Sequence, residues 1–167
     1  MRIKDSVALW FTLLTLLLGP LFTPKIHLFY CAPYLIISLY RLPLTSALWR
    51  AYACGILIDL LSSSPLFGLT SLNYCFAIWL LHGQTRHFFE DKLSTLPLMT
   101  FLFSLLSTVL SLIFAFFSGH TYPLSKLWAV TDLIMMPLAD ALYALLLFSF
   151  PFELIYRLRK LRLFKKT

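Results

Sequence analysis

Three carboxylates stand inside apolar runs of this chain, Asp59, Asp132 and Asp140, and they are the first residues to question for chemistry. A charged carboxylate at the centre of a hydrocarbon layer costs roughly 2.5–3.5 kcal/mol on insertion scales, and less toward the surface. Each must therefore be held by protein, sit at an interface, or do work. Two carboxylates that meet can share acid–base chemistry. Asp132 and Asp140 lie about 12 Å apart along one helix at ~1.5 Å per residue, too far for a dyad, with Pro137 between them. Asp59 could meet Asp132 only across helices. Asp140 is the deeper group and should face the bundle interior or be uncharged, and Pro137 should kink its helix.

Other candidate chemistry is sparse. His27, His82, His87 and His120 scatter without metal-ligand spacing, and no H-E-x-x-H, G-x-S-x-G or glycine-rich phosphate loop occurs. Cys31, Cys54 and Cys75 form no C-x-x-C pair and read as small buried apolar residues. The expectation is a chain without metal, cofactor or catalytic residues. Thr100, Ser104, Thr108 and Ser111 share one helical face with Ser107 alongside, a pattern for hydroxyl bonds to the same backbone or a neighbouring helix.

The elements that must position these groups follow from composition. The 167 residues are 60% hydrophobic and 13% charged, with a mean hydropathy of +0.84. A soluble sphere of this size could not hide so much apolar surface. Lipid can, through helices that satisfy their own backbone. Six continuous runs, 7–22, 26–40, 44–61, 67–81, 96–118 and 124–150, predict an all-α integral membrane protein. It is a single domain, 1–167, bundling about six transmembrane helices. Arg2 and Lys4 precede the first run, but Gly19-Pro20-Leu21-Phe22 offers no small-x-small cleavage site, so an uncleaved first helix is expected.

The formal charge of +7 does not point to nucleic acid once the cations are placed. With the N-terminus inside, Arg2, Lys4, Arg41, Arg50, Arg86, Lys92, Arg157, Arg159, Lys160, Arg162, Lys165 and Lys166 fall on the inner side. Only Lys25 and Lys126 fall outside, a strong positive-inside bias that puts both ends in the cytoplasm. Residues 153–167 mix Leu154, Leu158 and Leu161 with the last six of those cations. They make a basic amphipathic tail suited to anionic lipid or to a cytoplasmic partner. Arg50, just inside the third run, can snorkel to the cytoplasmic surface.

The third run also carries Ala47, Ala51, Gly55 and Asp59 at four-residue spacing, one stripe of small side chains ending in a carboxylate. Such a ridge admits a neighbouring backbone. Asp59 reads either as a fixed polar contact, in the bundle or with a partner, or as a group solvated at the outer interface. In Ser62-Ser63-Ser64-Pro65, Ser64 can cap a helix with Pro65 at its first position, and Gly68 allows close approach.

The run Gly55-Ile56-Leu57-Ile58-Asp59-Leu60-Leu61-Ser62-Ser63-Ser64-Pro65-Leu66-Phe67-Gly68-Leu69-Thr70-Ser71-Leu72 resembles the rod shape-determining protein MreD family. That family shares the glycine, the aspartate, a small-residue and proline turn, and Gly-Leu before an apolar helix. The likeness is most specific over Ala51 to Leu81, with Pro137 matching a proline of the last helix. Asp132 and Asp140 have no place in the family motif. The resemblance implies a non-enzymatic component of the bacterial inner (cytoplasmic) membrane in the machinery of cell elongation and peptidoglycan synthesis. Its implied partners are an MreC-like membrane protein, the actin-like MreB, and the glycan polymerase and transpeptidase of the lateral wall. It also implies a fold similar to the substrate-binding subunits of energy-coupling factor transporters.

Three functions therefore compete. The first is an assembly scaffold whose third-helix ridge and outer hairpin meet a membrane partner. The second is a membrane subunit that binds a small solute among interior carboxylates. The third is an intramembrane aspartyl hydrolase such as a lipoprotein signal peptidase, using Asp59 and Asp132. Against the last, the asparagine-rich motifs of those peptidases are missing, and Asn73 is the only asparagine.

Overall fold

Apolar runs too long to end within a soluble core fold here into helices that surround a short central one. The computed structural model describes residues 5–22, 29–62, 67–86, 95–117 and 130–149, and among these every regular element is helical. Helix α1 spans Asp5–Phe22, α2 Ala32–Arg41, α3 Leu44–Ser62, α4 Leu69–His82 and α5 Thr95–Phe117, with a 3-10 turn at Gly83–Arg86. Helix α6 is composite, π-helical over Thr131–Met135, α-helical over Met136–Tyr143 and π-helical again over Ala144–Ser149. Pro65 and the basic tail, with Arg157, Arg159, Lys160, Arg162, Lys165 and Lys166, lie outside the described residues.

Three helices, Leu44–Ser62, Thr95–Phe117 and Thr131–Phe148, are long and apolar enough to cross a membrane. The polarity of the described helices is inverted relative to a soluble fold. Trp10 and Trp49 are each 73% exposed and Phe116 82%, while Ser38, Asp59, Ser71, Asn73, Thr100, Ser104, Ser107 and Asp140 are buried. Water would make that arrangement costly on both counts, and hydrocarbon on neither.

Helix α2 is the helical part of the second run, 26–40, of which 26–28 lie outside the described residues. Its ten residues extend about 15 Å, half of a hydrocarbon core of ~30 Å. Every residue from Ala32 to Leu39 is buried, and α1, α3, α4 and α5 all pack against it. A helix apolar on all sides satisfies the hydropathy of a span equally well, which is why the sequence pattern does not separate the two. Local chemistry sets its limits. Pro33 sits in the first turn, where a missing N–H is harmless. At the other end Leu42 is extended, with φ −115° and ψ 156°, the conformation that the following Pro43 imposes. Ser46 and Ala47 then donate their amides to the Pro43 carbonyl and start α3 at once. The chain thus reverses within two residues, and α2 and α3 lie antiparallel.

Pro137 is buried in the first turn of the α-helical part of α6, directly after the π-helical turn. The Met136 amide there bonds the Thr131 carbonyl, five residues back. That wider turn relieves the clash a proline ring makes with a preceding carbonyl, so the break is expressed as a change of helical pitch.

Candidate functional site

Asp59 is 2% exposed and its Oδ2 accepts the Gly68 amide at 2.9 Å. Gly68 has φ +91° and is the N-cap of α4, and that left-handed conformation is open to glycine at little cost. Its carbonyl accepts the Leu72 amide at 3.0 Å, which closes the first turn. The carboxylate at the end of α3 therefore holds the start of α4 from the side, where its charge also meets the positive end of the helix dipole. One sequence reading is corrected. Helix α4 begins at Leu69 with Gly68 as its cap, while Ser64 and Pro65 lie outside the described residues. Gly68 is needed for its backbone angle rather than for close approach, since an added Cβ would meet nothing within 4 Å among the described residues.

Close approach belongs to Gly55, one turn earlier on the ridge. A Cβ there would lie 2.3 Å from Ser71 Cα and 2.6 Å from Ser71 N, so α3 and α4 touch backbone to backbone. Ala47, Ala51 and Cys54 are buried in the same helix, and the Cys75 thiol donates to the Leu48 carbonyl at 3.7 Å. The expectation that this ridge receives a second membrane protein is therefore corrected. The neighbour it admits is α4 of the same chain, which leaves no room for another helix at Gly55.

Asp140 forms the second polar centre. It is fully buried. Its Oδ1 accepts the Phe29 amide at 2.9 Å and its Oδ2 accepts the Ser104 hydroxyl at 2.5 Å. One carboxylate thus joins α6, α5 and the segment entering α2. Burying such a group is tolerable because each oxygen has a donor. Tyr143, three residues on, donates to Thr15 Oγ1 at 2.8 Å and ties α1 to the same junction. Aromatic edges fill the space around it: Phe29 packs against Tyr74 and Phe103, and Tyr30 against Tyr143.

The hydroxyl face of α5 divides its work. Thr100 and Thr108 donate to the Leu96 and Ser104 carbonyls of their own helix. Ser107 and Ser111 receive Asn73 Nδ2, at 3.0 Å on the Ser107 carbonyl and 2.7 Å on Ser111 Oγ. Asn73, the residue that sequence reasoning passed over, is thus the polar clamp between α4 and α5, and its solitary position in an apolar run was the available signal. Asp59 Oδ1, Ser71 Oγ, Asn73 Oδ1 and Ser107 Oγ are buried and take no partner among the described residues.

Asp132 is half-buried on the first turn of α6 and has no hydrogen bond to Asp59 among the described residues. Arg50 departs from the expected snorkelling. Its Nη1 donates to Ser38 Oγ at 3.2 Å and its guanidinium lies 5.6 Å from the centre of the Tyr34 ring, so it turns onto buried α2 in a cation–π contact. Among the described residues no group of three or more His, Cys, Asp or Glu is arranged to hold a metal ion.

Fold and site together define a helical bundle with helices long and apolar enough to cross a membrane and interior carboxylates bonded to its own backbone. No protein-family model, curated protein or solved structure matches the chain.

Proposed function

We propose that this chain is a non-enzymatic scaffold of the bacterial inner membrane, MreD-like, within the machinery that elongates the rod-shaped wall. On this reading it crosses the bilayer about six times with both termini in the cytoplasm, in a fold like that of energy-coupling factor substrate-binding subunits. The observation that carries the reading is the use made of the residues behind the resemblance. Gly55 and Asp59 join α3 to α4 through Ser71 and Gly68 in one stiff hairpin. Asp140 engages both of its oxygens in the interior. Carboxylates engaged in this way support assembly rather than turnover.

A stiff hairpin presents its partner with the face it does not bury. On α3 that face carries Trp49, Tyr52, Leu57 and Leu60, all exposed, and the proposed occupant is the membrane helix of an MreC-like protein. The double variant Leu57→Trp/Leu60→Trp keeps the surface lipophilic and changes its shape. Co-expression with the MreC-like protein of the same organism and affinity purification in mild detergent should recover about tenfold less partner, equivalent to ~1.4 kcal/mol. Undiminished recovery with a folded variant would count against the scaffold. Gly55→Leu does not serve as this test, because it strikes the hairpin itself.

A small-solute-binding subunit is the second reading. It draws on the partnerless polar atoms of Asp59, Ser71, Asn73 and Ser107 across α3, α4 and α5. A small molecule retained through purification and released on native mass spectrometry would favour it.

A further inference from the structure

Two of the three cysteines meet. Cys31, at the N-cap of α2, and Cys54, in the second half of α3, are both buried free thiols. Their side chains hydrogen-bond to each other. The helix register sets the two cysteines on neighbouring turns at the same end of the pair. In the antiparallel pair α2–α3, Arg50 stands opposite Ser38. One turn further along α3 comes Cys54, and one turn back along α2 comes Tyr34, with Cys31 on the following turn of the same face. The Arg50 guanidinium acts on Cys54 electrostatically and touches both Ser38 and Tyr34. Cys75 is engaged elsewhere, with the Leu48 carbonyl.

We infer that Cys31 and Cys54 are a redox-active pair that a hydroperoxide closes to an intramolecular disulfide, fastening the central helix α2 to α3. The attacking form is a thiolate, and Arg50 supplies the cation beside it. The thiolate sulfur attacks the peroxide O–O bond, which breaks to leave a sulfenic acid and, after proton uptake, one molecule of water or alcohol. The second thiol then attacks that sulfur. The S–S bond forms, the S–O bond breaks, and the hydroxyl leaves as water with the second thiol's proton. Two electrons pass in total from the two thiols to the peroxide. The bond would also tether Phe29, two residues ahead of Cys31 and the amide donor to Asp140.

The test counts thiols on the full-length protein in lipid nanodiscs. Before oxidation, denaturation and maleimide labelling should add three labels, one for each cysteine. After exposure to hydrogen peroxide the count should fall from three to one, with Cys75 carrying the remaining label and a Cys31–Cys54 linked peptide seen without reductant. Cys31→Ala and Cys54→Ala keep the sites small and apolar. Each should leave two labels before peroxide and form no internal disulfide after it, with a sulfenic acid trapped on the surviving partner by dimedone. Three labels persisting in folded, peroxide-treated protein overturn the inference. So does a bridge made through Cys75, or equal pairing in protein denatured in dodecyl sulfate before peroxide is added.

Discussion

Gly55→Leu will yield almost no folded protein, and even Gly55→Ala will lower stability. The reason is the kind of atom in the way. An added Cβ lies 2.3 Å from Ser71 Cα and 2.6 Å from its amide nitrogen, and backbone inside a helix cannot swing aside as the end of a long side chain can. Alanine at a helix interior ordinarily gains up to ~1 kcal/mol over glycine. Overpacking of a close contact costs about 1–3 kcal/mol, so the sign is set by the contact. Leucine adds three further heavy atoms in the same place and forces α3 off α4, carrying the Asp59–Gly68 bond with it. Detergent-solubilised yield and the midpoint of thermal unfolding measure both variants. Gly55→Ala should unfold several degrees below the parent and Gly55→Leu should run mainly as aggregate. A leucine variant as stable as the parent would mean that the two helices do not meet at this glycine.

Asp140→Leu carries the second large effect. It strands the Phe29 amide and the Ser104 hydroxyl inside the bundle, and each unsatisfied buried donor costs about 1–3 kcal/mol. A combined loss of roughly 2–6 kcal/mol follows from the same range, comparable with the whole stability of many domains. Asp140→Asn retains an acceptor oxygen and should lose less. Ser104→Ala removes one donor and leaves the carboxylate its amide, so its loss should be the smallest. The ranking Leu worse than Asn, and Asn worse than the serine variant, is read from thermal midpoints. Because Phe29 leads into Cys31, the leucine variant should also label faster at Cys31 with a small maleimide under native conditions. Equal midpoints for all three variants would show that Asp140 holds nothing together.

Much of the architecture could be read before any coordinates. The third and fifth apolar runs, 44–61 and 96–118, lie close to α3 at Leu44–Ser62 and α5 at Thr95–Phe117. Their length and uniform hydropathy leave few other outcomes. The stripe Ala47, Ala51, Gly55 and Asp59 was visible because helical spacing is fixed. What it faces was not, since small residues admit any close neighbour, and only the packing of α4 along α3 decides what fills the place. The enclosure of α2 within the bundle was hidden for a similar reason. Hydropathy reports removal from water, and a helix packed against four others scores like one wrapped by lipid. Arg50 turned inward because Tyr34 and Ser38 lie within its reach, a fact of the α2–α3 register that spacing along α3 alone does not contain. The partners of Asp140 are 36 and 111 residues away in sequence, beyond any local pattern. The same distance in sequence hid the meeting of Cys31 with Cys54.

Amide hydrogen exchange of the nanodisc-embedded protein, followed by NMR at Gly68 and Phe29, tests most directly whether the two interior acids act as latches on the backbone. Both amides should exchange far more slowly than surface-loop amides. Asp59→Ala should release Gly68 alone, and Asp140→Ala Phe29 alone. Rapid exchange of both in the parent protein would contradict the account, because the carboxylates would then be free for some other work.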